Sequence, residues 1–136
     1  MKMKRFLASA ICVACVIMLA IPTFARASSQ IKNYTIDATA KTGAIEVYFY
    51  VAATNTMSEI GCESIKVYDE SGSSWSLVES WDEYDSGMSK SNERIFSDTV
   101  SCDSEKGVEY KVVITVFADD GSDRDTRTRT IYVTGK

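Results

Sequence analysis

A chain of 136 residues with 15 Lys+Arg, 19 Asp+Glu and no histidine has room for one domain and carries a net charge of −4. Without histidine there is no Ser–His or Cys–His nucleophile pair, no imidazole base, no His-ligated zinc and no default titration near neutral pH. No glycine-rich phosphate loop is present and the acidity repels phosphate backbones, so no cofactor and no nucleic-acid partner are expected.

The chain opens MKMKRFLASAICVACVIMLAIPTFARA. Lys2, Lys4 and Arg5 give a positive start, an apolar run follows from Phe6 to Ile21, Pro22 breaks it, and Ala25-Arg26-Ala27 places small residues where a signal peptidase reads them. The run is short for a bilayer span, which needs roughly 20 apolar residues. Residues 1–27 are therefore predicted to be a cleaved secretory signal, and residues 28–136 a single exported domain. Four of the 15 cations lie in that signal, so the mature chain keeps 11 against 19 acidic groups, a net of −8. Such a charge favours a soluble monomer. With no apolar tail after Gly135-Lys136, the expected location is extracellular, with no membrane attachment after cleavage.

Runs rich in Val, Ile, Thr, Tyr and Phe, separated by glycine-bearing turns, then predict short strands in chain order. Residues 31–40 make a first strand. Residues 44–53 put Ile45, Val47, Phe49 and Val51 on one face, with Tyr48 and Tyr50 on the other. Residues 54–60 offer the one place for a turn of helix. Residues 63–69 point Ile65 and Val67 inward, residues 70–73 form a turn, and 74–80 return as a hairpin strand. Residues 81–93 read as a long acidic loop and 94–101 as a short strand. Residues 108–118 align Tyr110, Val112, Ile114 and Val116 on one face. After a turn at 119–122, residues 125–134 alternate Thr and Arg as an exposed edge. Seven strands with this spacing predict an all-β, antiparallel, two-sheet sandwich. Its expected structural positions are Ile65, Val67, Phe96, Tyr110, Val112 and Ile114.

Two segments carry a family resemblance. Ile65-Lys66-Val67-Tyr68 followed by Trp75-Ser76-Leu77-Val78 is similar to the C–C′ hairpin of fibronectin type III domains. Gly107-Val108-Glu109-Tyr110-Lys111-Val112-Val113-Ile114-Thr115-Val116-Phe117-Ala118 resembles their F strand. The resemblance spans about 70 residues, from 62 to 134, and implies a fibronectin type III-like or immunoglobulin-like sandwich. It makes Tyr110 the tyrosine-corner residue, its hydroxyl bonded to backbone just upstream. The second strand has Tyr48, Phe49 and Tyr50 in place of the family's core Trp, and the first strand lacks its prolines. The segment Met57 to Gly61 also resembles one found in small secreted bacterial proteins of unassigned function. The architecture implies no activity.

Among chemical constellations, Glu79, Asp82, Glu83 and Asp85 around Trp81 and Tyr84 are the one catalytic option, a minimal glycosidase pair, and read better as an acidic solvated loop. Asp119, Asp120, Asp123 and Asp125 crowd one turn, but their spacing does not match a calcium loop and Arg124 competes, so no metal is expected. Trp75, Trp81 and Tyr84 form the candidate binding surface, because aromatic faces stack on partner side chains and on sugar rings. The expected function is thus a non-enzymatic adhesion or protein-interaction module whose partner is an extracellular protein, with a carbohydrate-binding module as the alternative. Cys62 and Cys102 are the only cysteines after residue 27. Cysteine arithmetic pairs them. The sandwich topology instead sets them at opposite ends of strands that run roughly 23 Å, beyond the ~7 Å a disulfide tolerates, and predicts two free thiols.

Cleavage after Ala27 makes Ser28 the first residue of the exported protein. Intact-mass spectrometry of secreted material checks this; a mass retaining residues 1–27 would exclude the signal.

Overall fold

A computed structural model describes residues 29–136; the segment read as an export signal lies outside them. Six strands appear and every pairing is antiparallel. They are β1 (Ile31–Lys41), β2 (Ala44–Ser71), β3 (Ser74–Asp82), β4 (Ser89–Asp103), β5 (Glu109–Asp119) and β6 (Arg124–Thr134). No helix occurs among the described residues, and so none long and apolar enough to cross a membrane.

The strands form one continuous sheet that curls on itself, with the 28-residue β2 as its spine. The first half of β2 pairs with β1 on one side and β4 on the other. Its second half pairs with β5 and with β3, and β6 extends the sheet beyond β5. The expected count of seven strands in two separate sheets is corrected to six in one sheet. The segments expected as two strands, and the helical turn between them, are all part of β2. Thr54, Asn55 and Thr56 are exposed but stay extended, and β4 resumes pairing at Met57. β-Branched threonines and the absence of proline let the strand bend rather than end. The expected loop over 81–93 shrinks to residues 83–88, because β3 runs on to Asp82 and β4 begins at Ser89.

Alternation sorts the side chains. Ile45, Val47, Phe49 and Val51 from one half of β2 face Ile65 and Val67 from the other across a shared core, and all six are fully buried. Val112, Ile114 and Val116 of β5 are equally buried, while Phe96 of β4 is partly buried, its ring 5.9 Å from that of Phe49. Burying each such side chain stabilises the fold by about 1.5–3 kcal/mol.

Over Glu59–Gly61, where β4 and β5 flank β2 together, the neighbours come very close at Gly61. The Cys62 N–H donates to the Met88 carbonyl at 2.7 Å, and a Cβ on Gly61 would stand 2.6 Å from the Ser89 Cα. Only glycine fits, and the contact seats Met88, fully buried, as a plug in the core. At the hairpin between β2 and β3, Gly72 adopts φ +68°, the positive value a two-residue turn requires.

The outer edges of β1 and β6 meet through side chains. Asp125 of β6, the one buried charged residue among those described, accepts the Ile31 N–H at 2.9 Å and is ion-paired with Arg127. Arg129 donates to the Ile36 carbonyl at 2.9 Å. These bonds draw the two edges together and hold the sheet curled.

Tyr110 is buried, and its hydroxyl accepts the Glu105 N–H at 2.8 Å, five residues upstream. Replacing it with Phe leaves a donor unpaired. Tyr110→Phe is expected to lower stability by about 1–2 kcal/mol. An unchanged urea midpoint would show that the bond contributes nothing.

Candidate functional site

The second half of β2 and its neighbours present an outer face opposite to the core. On it, Leu77, Tyr68, Lys111 and Tyr132 form one cross-strand row over β3, β2, β5 and β6. Trp75 lies against this row, its ring 5.8 Å from that of Tyr132 at an angle of 52°. The Lys111 ammonium sits 4.6 Å from the centre of the Tyr68 ring and 5.2 Å from that of Trp75. Each aromatic–cation contact contributes about 0.5–1 kcal/mol at such half-exposed positions and fixes the rings in place. Tyr132 and Leu77 stay 60% and 54% exposed. The result is a partly apolar platform of Trp75, Tyr68, Tyr132 and Leu77 around one cation.

Of the three aromatic residues expected to form the surface, the structure brings only Trp75 to this platform. Trp81 pairs with Ile65, shares its inward face and packs on the core. The cause is a bulge in β3: Glu79 pairs with Val67 and Leu77 with Tyr68, leaving Val78 as the extra residue. One extra residue reverses the alternation, so Trp75 faces outward and Trp81 inward. Tyr84 is 88% exposed in the turn beyond β3, whereas Trp75 stands near that strand's opposite end, seven residues before Asp82, roughly 23 Å of strand at 3.3 Å per residue. Tyr68 belongs to the hairpin motif, but neither Lys111 nor Tyr132 carries a local signal for this surface. Only their register across four strands unites them.

The acidic residues are engaged locally. Glu83 holds Arg124 through two parallel bonds of 2.9 and 3.0 Å, and Asp119 and Glu63 add bonds of 3.0 and 3.3 Å to the same guanidinium. Glu83, then Asp119, push Arg124 further above its ordinary range, and its Cζ lies 4.1 Å from the centre of the Phe117 ring. Asp82 and Asp85 cap the 83–88 turn through the backbone N–H groups of Tyr84 and Asp82. Asp120 accepts the N–H groups of Asp123 and Ser122, which hold its carboxyl below the usual range. Among the described residues no three Cys, Asp or Glu side chains converge to hold a metal ion.

Cys62 and Cys102 are unbridged and buried. Cys102 lies opposite Ile45 at the start of β2, whereas Cys62 lies opposite Val116 in its second half. The Cys62 thiol is 3.2 Å from the Thr115 carbonyl, and burial pushes its pKa up to about 12. Burial also raises Cys102, helped by Glu79 and Asp103. Both are inert packing groups rather than nucleophiles.

The raised Cys62 pKa has a definite sign. Above the pKa of an unfolded thiol, about 8.5, the unfolded chain loses a proton that the native chain keeps, so stability falls as pH rises toward about 12. Chemical denaturation at pH 8 to 11 should show a loss of up to about 1.4 kcal/mol per pH unit from this group. That slope should be shallower in Cys62→Ala; equal slopes would show that the thiol is not shielded.

Comparison with protein-family models, with curated proteins and with solved structures finds no match to this chain.

Proposed function

We propose that this chain is an exported, non-enzymatic binding module, fibronectin type III-like or immunoglobulin-like in architecture, that recognises a protein partner through the platform of Trp75, Tyr68 and Tyr132. The observation that carries this reading is the outward-facing aromatic row around Lys111. Trp and Tyr dominate the energetic centres of protein interfaces because they offer large area with few rotatable bonds. Here the rings are already ordered, so little entropy is lost when a partner covers them.

The same geometry weighs against a sugar-stacking role for this platform. Stacking needs an open, flat ring face, but Lys111 covers Trp75 and Tyr68, and Tyr132 is tilted against Trp75. Trp81, the other residue of a sugar-binding reading, packs inward. The carboxylates of Asp82, Glu83 and Asp85 serve the turn and Arg124, which disfavours a glycosidase pair. The compartment follows from the predicted signal, and the net charge of −8 favours a monomer that meets its partner as a single copy.

Trp75→Ala should leave the circular-dichroism spectrum unchanged and weaken capture of a discrete protein from the native extracellular medium by at least about tenfold, the scale of a hot-spot truncation. Tyr132→Ala should act in the same direction. Undiminished capture by both folded variants would move the interface elsewhere.

A further inference from the structure

The other half of the sheet carries a groove with a different chemistry. On the outer face of β1, β2 and the middle of β4, a cavity of about 300 Å³ is lined by Lys32, Asn33, Tyr50, Arg94 and Ile95 over a floor of Ala52 and Ala53. Two register breaks create it. On β1, Ile31 pairs with Ala53 and Asn33 with Ala52, so Lys32 is an extra residue. On the other side, Ala52 pairs with Ile95 and the next pair is Met57 with Glu93, so residues 53–56 bulge opposite Arg94 alone. A bulge re-aims the side chain it displaces. Here two bulges, one on each side of Ala52–Ala53, turn one cation each into the same groove.

The two cations have no acidic partner among the described residues. In a domain of net charge −8, neither Lys32 nor Arg94 makes an ion pair among the described residues, and the adjacent Glu93 is taken by Lys90 at 3.3 Å. Arg94 is positioned all the same: its Nε donates to the Ala53 carbonyl at 3.3 Å, which leaves the two terminal nitrogens to a ligand. A guanidinium fork suits a carboxylate. Beside it, half-buried Tyr50 provides a ring face and the Asn33 amide can both give and accept hydrogen bonds. The volume lies at the small end of ligand sites, room for one compact unit.

We propose that this groove binds a carboxylate-bearing sugar unit of the uronate class. Its carboxylate meets Arg94 and Lys32, its ring lies on Tyr50, and its hydroxyls reach Asn33. A peptide carboxylate fits less well: an extended peptide binds by adding to a regular strand edge, and the bulges break the regular ladder here. The groove and the Trp75 platform lie on different halves of the sheet, so the two sites stand or fall separately.

The test is calorimetric titration of the purified protein with a galacturonate trimer, beside a neutral glucose trimer, sodium acetate and a tripeptide of neutral residues with a free C-terminus. Saturable binding of the galacturonate trimer alone is expected. It should weaken by about tenfold or more in Arg94→Gln and also weaken in Lys32→Gln, the loss of a charge-assisted bond, with melting temperatures unchanged. Trp75→Ala should bind the trimer like the parent. Equal binding of the glucose trimer or of acetate, tighter binding of the tripeptide, no saturable binding at millimolar concentration, or unaltered affinity in both charge variants would each overturn the proposal.

Discussion

Everything in this fold hangs on β2. Four of the other five strands hydrogen-bond to it directly, and the fifth, β6, attaches through β5. Because its two halves belong to opposite sides of the core, the residues of a single strand, Phe49 and Val51 with Ile65 and Val67, supply both walls of the interior. This explains why Gly61 has no substitute. It ends the short stretch, Glu59–Gly61, where β4 and β5 flank the spine at once, and there the Met88 backbone presses against it. Any side chain there would separate the halves and open the core to water.

Curling also gives the chain two distinct exteriors. One carries aromatics around a lysine; the other carries a groove in which two cations flank Tyr50. Both owe their composition to irregularities in the ladder. The bulge at Val78 brings Leu77 and Trp75 outward, and the bulges around Ala52–Ala53 bring Lys32 and Arg94 into one groove. Regular pairing builds the interior, and the departures from it build the surfaces available for recognition.

Alternation made most strands readable in advance: the boundaries of β1, β5 and β6 fall within a residue or so of the pattern. It failed where the pattern is interrupted without a break in the chain. Thr54-Asn55-Thr56 is polar and looks like a connection, yet β4 pairs again just beyond it, so the strand continues. The candidate surface was obscured for a related reason. Trp75 and Trp81 are six residues apart, an even spacing that places them on one face unless a bulge intervenes, and no local signal marks Val78 as bulged. Tyr68, Lys111 and Tyr132 are distant in sequence and become neighbours only by register. The role of Asp125 was hidden too. Read as one of a cluster of turn aspartates, it is the buried clasp between the first and last strands.

The spine has a kinetic corollary. The β1–β2 and β2–β3 hairpins close through short turns and can form on the microsecond scale. They share one strand, but each uses a different half of it, so neither fixes the other's orientation. That orientation is set only when β4 lies along both halves, and β4 must return across a loop to reach partners some 60 residues earlier, such as Ile45 opposite Cys102. β5 docks across separations at least as long, with Glu59 opposite Asp119, so the two long-range dockings of β4 and β5 carry the large loop-closure entropies of the spine and together complete the interior. Until then two ready-made hairpins are joined by a flexible Thr54–Thr56 hinge, with the apolar faces of both still uncovered.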